Sequence, residues 1–320
     1  MAATSAAGAL RRITDAIPPA AGAVVMGTGI VSIDLSLDGQ HAISIVLLVL
    51  AAFIWILLAG LLPVRALADA ERFRADIRHP TALTSIAGTA VLGTRLTVAG
   101  RSWAGTALLV IALAFWLILL WPVLAHWTTP TVGVSLLLTV STESLAVLAA
   151  TLAAREHARW LLDASLAPFL LGLALYVFVI SSFDLRQLLV GRGDHWITGG
   201  ALAISTLAAG RITLGIHSLH ELTGLADALK TSSIVLWALT IAWLPALLAA
   251  EALRPRPGYH ARRWSTVFPV GMYAACSFAV GATAHASGIT EFARIWVWVG
   301  LAVWLAVFGG MLARAPQLLR

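Results

Sequence analysis

The sequence predicts an all-α integral membrane protein, and three observations lead to that class. The chain of 320 residues is 60% hydrophobic, its mean hydropathy is +0.91, and only 11% of its residues are charged, whereas soluble domains carry about 25%. Ten apolar runs, each close to the roughly 20 residues that a spanning helix needs, use nearly the whole chain. The basic residues concentrate in alternate connections between these runs. We therefore expect a single transmembrane domain over residues 1–320.

The ten predicted spans follow one another with short connections, so consecutive helices are expected to form hairpins. The spans cover residues 17–37, 43–63, 80–100, 104–126, 132–153, 161–183, 196–216, 231–250, 265–287 and 295–313. The N-terminus lacks a short apolar stretch followed by a small-residue cleavage site, so we expect the first span to remain as an anchor.

The positive charge of the chain is explained by membrane topology. The net charge of +6 and the isoelectric point near 10.6 would suit a nucleic-acid partner only if the basic residues formed a patch. With the N-terminus placed inside, 14 of the 21 Lys and Arg residues fall on the cytoplasmic side: Arg11, Arg12, Arg65, Arg72, Arg74, Arg78, Arg186, Arg192, Arg254, Arg256, Arg262, Arg263, Arg314 and Arg320. Cytoplasmic connections of membrane proteins retain such an excess. We therefore expect the inner (plasma) membrane, both termini in the cytoplasm and no nucleic acid.

Glycine, serine and threonine alternate along the ten spans. The odd-numbered spans hold 37 of these residues among 108, and the even-numbered spans hold 15 among 106. Small residues allow helices to approach closely, whereas bulky apolar side chains suit lipid or a subunit interface. The pattern predicts five hairpins, each with one inner and one outer helix. The inner helices either pack tightly or line a central pathway, and the fivefold repetition favours the pathway.

The pathway hypothesis assigns a role to the residues that loosen the inner helices. Glycine and proline free backbone groups, which a membrane protein tolerates where they face a cavity rather than lipid. The candidate kink or pore-lining positions are Gly27, Gly29, Gly88, Gly93, Gly199, Gly200, Pro269 and Gly271.

Five stretches on the odd-numbered spans, in order, resemble one known family. They are "MGTGIVSI" (26–33), "HPTALTSIAGTAVLG" (79–93), "STESLAVLAA" (141–150), "WITGGALAISTLAAG" (196–210) and "WSTVFPVGMY" (264–273). Together they resemble the tellurite-resistance and dicarboxylate transporter family, which includes the plant slow-type anion channels, over essentially the full chain. The resemblance implies ten helices per protomer arranged as five hairpins around a central pore, a homotrimer, and transport of small anions or dicarboxylates such as malate. A membrane transporter of this kind needs no cofactor and is not an enzyme.

The resemblance also implies a gate in the ninth span. In channels of this family a phenylalanine blocks the pore, and Phe268 is the matching position. An aromatic ring next to a bend could occlude a narrow path and swing aside. The alternative is that Pro269 occupies the first helical position, where proline is well tolerated, so that "VFPVG" only starts a helix and Phe268 lies at the membrane interface.

Four charged residues fall within odd-numbered spans, and three of them, all but Asp34, are candidates for a role in the pathway. Arg95 and Arg211 each lie 15 residues past the start of a span, which places both roughly 22 Å from the inner face. They could attract anions to the outer mouth, or each could extend its side chain to the interface. Glu143 lies near the middle of the bilayer, where an ionisable group is costly. It could take up protons for coupled transport, or it could be a neutral, hydrogen-bonded acid between helices.

The remaining chemistry in the sequence is weaker. An integral membrane enzyme that uses Glu143 and a histidine on a lipid-linked substrate is the alternative function, but the histidines lie mainly in loops or at span ends. His217, His220 and Glu221 have metal-ligand spacing without a further ligand, so we expect no metal site. Cys276 is the single cysteine and is expected to fill the core, and Asp34 is expected to mark the outer end of the first span.

Overall fold

Ten helices of 15 or more residues make up most of the part of the chain that the structure describes. The computed structural model describes residues 18–191, 193–255 and 258–318. The long helices in these ranges are α1 (Gly22–Leu37), α2 (His41–Ala68), α3 (Thr84–Val98), α4 (Ser102–Ala125), α5 (Leu137–Glu156), α6 (Arg159–Ile180), α7 (Ile197–Leu219), α8 (Ala226–Leu253), α9 (Trp264–Ala284) and α10 (Ser287–Leu318). Two short helices, Ala70–Ile77 and Gln187–Val190, lie in connections. The predicted all-α membrane class is confirmed.

Eight of the ten predicted spans are confirmed as helices that are long and apolar enough to cross a membrane. The other two, α1 and α3, have 16 and 15 residues and are about 24 and 22 Å long, against a hydrocarbon core of about 30 Å. α3 is shorter than its window because the turn Pro80–Leu83 precedes it as a separate 3₁₀ helix. The predicted cytoplasmic positions of Arg11, Arg12, Arg192, Arg256 and Arg320 lie outside the described residues.

The helices pack as five consecutive hairpins whose odd-numbered members form a closed cycle. Each odd-numbered helix has extensive contacts with the even-numbered helix that follows it. The odd-numbered helices also contact one another in the order α1, α3, α5, α7, α9 and back to α1. We call these five the inner helices and the other five the outer helices.

Burial separates the two sets. Between 83% and 100% of the apolar window is buried in α5, α7 and α9, against 11% to 28% in the five outer helices. In α1 and α3, 12 of 16 and 12 of 15 residues are also buried. The small residues of the inner helices permit this burial because they let backbones approach closely, and the Leu- and Trp-rich outer helices are left to face lipid.

Four inner helices begin with a 3₁₀ turn, and these lead-in turns lie together at one face. The turns are Pro80–Leu83, Gly133–Leu136, Asp194–Trp196 and Ala261–Arg263. The first contacts the second and the second contacts the third; a Cβ atom on Gly133 would lie 2.0 Å from the carbonyl oxygen of Asp194. A Cβ on Gly22 would lie 2.5 Å from the carbonyl oxygen of Thr84, so α1 begins there too. The N-termini of the inner helices therefore share one face of the bundle.

Hydrogen bonds from aromatic side chains tie each outer helix to the inner helix of the next hairpin. Four tryptophan indoles donate to hydroxyls: Trp55 to Thr89 (2.9 Å), Trp116 to Thr142 (2.9 Å), Trp237 to Ser277 (2.8 Å) and Trp304 to Thr28 (3.0 Å). In the fifth case the hydroxyl of Tyr176 on α6 donates to the carbonyl oxygen of Thr198 on α7 at 3.4 Å. We call these five bonds the aromatic latches. The sequence contains their parts, mostly tryptophans in even-numbered spans and hydroxyl residues in odd-numbered spans, but which of them pair follows from the tertiary structure.

Candidate functional site

A small cavity lies where all five inner helices meet. We call it the axial cavity, and its volume is about 20 Å³, enough for about one water molecule. Its lining consists of Ile30 and Ile33 from α1, Val91 and Thr94 from α3, Ser144 and Val147 from α5, Ile204, Leu207 and Arg211 from α7, and Met272 from α9. The lining is mostly apolar and includes two hydroxyl groups. Of the described residues that line the cavity, Arg211 alone is charged.

Arg211 is a half-buried cation at the axial cavity. It lies 14 residues after the first residue of α7, about 21 Å along the helix. Its Nε is buried without a hydrogen-bond partner among the described residues, and Arg211 belongs to none of the ion pairs in the described part of the chain. A cation without a counter-charge in such surroundings attracts anions strongly.

The two hydroxyls of the cavity are weak polar groups. Thr94 donates to the carbonyl oxygen of Ala90 at 2.9 Å, and Ser144 donates to that of Ser141 at 2.8 Å. Each hydroxyl hydrogen is therefore already bonded within its own helix. An anion that accepted a bond from either side chain would have to replace an existing bond, so binding there is weak.

Phe268 is buried next to the axial cavity. It is 2% exposed and precedes the cavity residue Met272 by four residues on α9. Residues four apart lie on one face of a helix, one turn or about 6 Å apart. Phe268 thus lies on the cavity face of α9, on the side of the helix N-termini, and is not itself a lining residue.

The proline that follows Phe268 lies inside a helix. α9 begins at Trp264 and runs unbroken to Ala284, with Pro269 as its sixth residue. The alternative in which Pro269 starts the helix is therefore wrong. The lead-in turn Ala261–Arg263 provides the start instead. Phe268 consequently sits in the second turn of a buried helix rather than at a membrane interface.

The seven glycines singled out from the sequence lie at contacts between helices. A Cβ added to each would meet a neighbouring helix within 3.0 Å in every case. The first neighbours are α9 for Gly27, α3 for Gly29, α1 for Gly88, α5 for Gly93, α9 for Gly199 and Gly200, and α1 for Gly271. None of them, nor Pro269, lines the axial cavity. Their absent side chains allow the close packing of the inner helices.

Arg95 does not share the cavity with Arg211. It is buried and donates from Nε to the Ser32 hydroxyl of α1 at 3.0 Å and from Nη2 to the Ser44 hydroxyl of α2 at 2.8 Å. The two serines also bond each other's backbone: Ser32 Oγ donates to the carbonyl oxygen of Ser44 at 2.7 Å. Arg95 therefore joins α3 to the first hairpin, and the two arginines expected at one depth have different surroundings.

Glu143 lies between helices, away from the axial cavity. Its Oε1 accepts a hydrogen bond of 2.8 Å from the Ser205 hydroxyl of α7. A Cβ on Gly172 of α6 would lie 2.1 Å from Glu143 Cγ, so this glycine makes room for the acid. Oε2 has no hydrogen-bond partner among the described residues. An ionised carboxylate in this place would be costly, which favours the neutral acid.

The sequence predicts that Asp34 marks the outer end of the first span, and the structure buries its side chain. The side chain is 1% exposed, and neither carboxyl oxygen has a hydrogen-bond partner within the described part of the chain. A Cβ on Gly271 of α9 would lie 3.1 Å from Asp34 Oδ2. The sequence signal that could have revealed this burial is the helical spacing of Asp34 from Ile30, one turn earlier on the same face.

The candidate metal and cysteine positions lie apart from this site. Glu221 pairs with Arg159 at 2.6 Å, and no group of three possible metal ligands occurs among the residues searched, those the structure describes. Cys276 is buried in the core with a free thiol.

These features describe an all-helical membrane protein with a single-arginine cavity at the centre of its inner helices. The chain belongs to the voltage-dependent anion channel family (SLAC1), whose family model matches residues 16–312. This membership confirms the resemblance inferred from the five sequence stretches.

Two relatives from Mycobacterium tuberculosis share part of this chain. Each is described as an uncharacterized membrane protein, one from strain CDC 1551/Oshkosh and one from strain H37Rv. Each is 33% identical over 129 residues, which are 37% of this chain and 62% of the relative. The matched part thus spans less than two thirds of each relative's own length.

Proposed function

We propose that each protomer conducts small anions along the axis of the inner helices. The observation that carries this proposal is the axial cavity, to which all five inner helices contribute and in which Arg211 is the charged group. Membership of a family described as a voltage-dependent anion channel supports anions as the transported class. It also favours a transporter over the alternative enzyme, whose proposed acid, Glu143, has Ser205 rather than a histidine as its hydrogen-bond donor.

The dimensions of the site favour small monovalent anions over dicarboxylates. A cavity of about 20 Å³ has room for about one water molecule, and one arginine offers one positive charge. A malate dianion would need more space and a second cation. Weak hydroxyl groups and apolar walls suit conduction, because an anion must leave the site as readily as it enters.

Phe268 is the proposed gate. Its ring lies one helical turn from Met272, on the cavity face of α9 and on the side where the inner helices begin. Rotation of the ring would open the path from that side toward Arg211. The surrounding core makes the closed position the resting one, since Phe268 is almost fully buried.

The N-termini of the inner helices supply the mouth. Each helix carries a partial positive charge at its N-terminus, and the lead-in turns bring these ends together at one face. Arg262, which is exposed, lies in the turn before α9, whereas Arg263 of the same turn is paired with Glu251 of α8 at 2.8 Å. Anions are therefore attracted to the same face from which Phe268 closes the path.

The membrane arrangement belongs to the same proposal. All ten helices cross the membrane, with α1 extended by the preceding residues 18–21 and α3 by its lead-in turn Pro80–Leu83. The excess of basic residues in alternate connections supports cytoplasmic termini and a location in the plasma (inner) membrane. The homotrimer is proposed from the family resemblance alone. The apolar outer helices provide a surface on which protomers could contact one another.

Anion flux into liposomes that contain the purified protein tests the proposal. Chloride, nitrate, sulfite and malate are compared for the wild type and Phe268→Ala, with and without a pH gradient. We expect chloride and nitrate flux to rise in Phe268→Ala regardless of the gradient. Phe278→Ala is the matched control, because Phe278 lies on the same helix, is half-buried and does not line the cavity.

Two results would contradict this function. Absence of flux for every anion with both wild type and Phe268→Ala would exclude the channel. Malate uptake that follows the pH gradient and is lost in Glu143→Gln would instead identify a proton-coupled dicarboxylate carrier.

A further inference from the structure

A larger cavity lies on the side of the bundle, apart from the axial cavity. It measures about 490 Å³ and lies among α1, α2, α3, α4 and the short helix Ala70–Ile77. We call it the lateral cavity. Its walls are mainly apolar and include Val25, Leu58, Leu62 and Phe115. This volume falls within the range of pockets that hold small molecules.

The lateral cavity opens toward the membrane. Ala59 of α2 and Ile118 of α4 line it and are exposed on the outside of the bundle. Both belong to outer helices, which face lipid. The innermost part of the cavity reaches the N-terminal parts of the inner helices α1 and α3, at Gly22 and Gly88. It is therefore an apolar recess in the leaflet on the side where the inner helices begin.

The short helix Ala70–Ile77 covers the polar end of this recess. Phe73, Asp76 and Ile77 line the cavity, and Asp76 pairs with the buried Arg65 of α2. The other face of the helix and its end carry three exposed arginines, Arg72, Arg74 and Arg78. A short helix with an apolar face inward and basic residues outward is typical of a membrane interface.

We propose that the lateral cavity binds one anionic phospholipid of that leaflet. One acyl chain of the lipid lies between α2 and α4, and the phosphate group lies near the exposed arginines of the short helix. The apolar walls match the chain, and the three arginines, which outnumber the two nearby carboxylates of Asp69 and Glu71, match the negative headgroup.

The position of the lipid would connect it with the inner helices. Trp55 and Thr89, the two partners of the first aromatic latch, both line the lateral cavity. A bound acyl chain therefore packs against the bond that ties α2 to α3. The lipid acts as a structural part of the bundle at the first two hairpins.

Lipid retention tests the proposal. The full chain is reconstituted in vesicles of equal phosphatidylglycerol and phosphatidylcholine, extracted in detergent, and its bound lipid is measured by mass spectrometry. We expect the wild type to retain phosphatidylglycerol in preference to phosphatidylcholine. Ala59→Trp, which fills the recess, should lose most of this lipid, at least about fivefold. Ala114→Trp is the matched control, because Ala114 is exposed on α4 and does not line the cavity.

The headgroup is tested separately from the chain. The triple variant Arg72→Gln, Arg74→Gln, Arg78→Gln should lose the preference for phosphatidylglycerol. The same three changes at the exposed residues Arg101, Arg186 and Arg294 should leave it unchanged. Equal retention by Ala59→Trp and Ala114→Trp would overturn the site, and equal retention of the two lipids by the wild type would overturn its anionic character. Lipid that binds only after removal of residues 2–17 would show that the chain itself covers the cavity, which also overturns the proposal.

Discussion

Trp304 of α10 donates its indole N–H to the hydroxyl of Thr28 on α1 at 3.0 Å, so the last hairpin is bonded to the first. The same relation joins each earlier outer helix to the next inner helix through the other aromatic latches. Because the five hairpins form a closed ring rather than a row, the indole of the last hairpin and the hydroxyl of the first are both hydrogen-bonded. This relation makes the cycle of inner helices dependent on side chains of the lipid-facing helices.

Removal of that latch should lower stability. In Trp304→Phe the buried Thr28 hydroxyl loses its donor, and we expect a loss of about 1 kcal/mol in the free energy of unfolding. Thermal unfolding in detergent measures it. Trp298→Phe is the control, because Trp298 lies on the same helix and is 48% exposed. Equal effects of the two changes would show that the bond between Trp304 and Thr28 contributes nothing.

Arg211 should control anion passage. Arg211→Gln removes the charge of the axial cavity, and we expect chloride flux to fall about tenfold, which corresponds to about 1.4 kcal/mol of lost attraction. Arg211→Lys should retain part of the flux, because it keeps the charge. The measurement is liposome flux per folded protein, and unchanged flux in Arg211→Gln would remove Arg211 from the pathway.

Arg95 should affect stability rather than flux. Its bonds to Ser32 and Ser44 join three helices, and Arg95→Gln would leave buried groups without partners, at a cost of about 1 to 3 kcal/mol. Thermal unfolding and flux are measured on the same preparation. A variant that folds as stably as the wild type but conducts poorly would place Arg95 on the pathway after all.

Glu143 should behave as a neutral structural acid. Glu143→Gln keeps the shape and can still accept the bond from Ser205, so stability within about 0.5 kcal/mol of the wild type is expected. Glu143→Ala should lose about 1 to 3 kcal/mol, because it removes that bond and leaves a gap beside Gly172. Chloride flux and its pH dependence should be unchanged in Glu143→Gln, and loss of a pH-driven flux in this variant would identify a coupling site.

His79 should make the protein less stable in acid. Partial desolvation lowers the pKa of His79 from its usual 6.5, the positive charge of Arg262 lowers it further, and the negative charge of Asp76 opposes both. The unfolded chain then binds the proton more tightly than the folded protein, so stability present above pH 6.5 is lost as the pH falls through 6.5 toward the lowered value. The Nδ1 atom of His79 also accepts a bond from the Thr81 N–H at 3.3 Å, which protonation removes.

His79→Asn separates this effect from other acid effects. His79 is the N-cap residue of the turn Pro80–Leu83. Asparagine is also a good N-cap residue, and its side chain does not titrate. We expect the variant to lose less stability than the wild type between pH 7.5 and about pH 5.5, measured by thermal unfolding at each pH. Parallel pH profiles for the two proteins would contradict the role of His79.

The assignment of inner and outer helices could be predicted from composition. Burial in a membrane bundle depends on how closely backbones approach, and glycine, serine and threonine report that approach directly. The lead-in turns could not be predicted in the same way. Pro80 and Gly133 begin turns whose geometry depends on contacts with neighbouring turns, so the predicted windows include residues that precede the α-helices.

The facing of single side chains could not be predicted because helix rotation is set by packing. Successive residues of a helix point about 100° apart. Thr94 lines the axial cavity, whereas Arg95, the next residue, bonds α1 and α2. Likewise Ser144 lines the cavity and Glu143 faces α6 and α7. The depth of a charged residue follows from its position in the span, but its neighbours follow from the tertiary structure.

The shared face of the inner-helix N-termini has an electrical consequence. The five inner helices surround the axis, and their dipoles all point the same way along it. The proposed path therefore has a positive end and a negative end. An anion that starts at the N-terminal face is attracted by five partial positive charges, while one that starts at the opposite face meets the negative ends of the same helices. For the proposed pathway we therefore expect rectification: at equal and opposite voltages, more anions should flow from the N-terminal face than toward it.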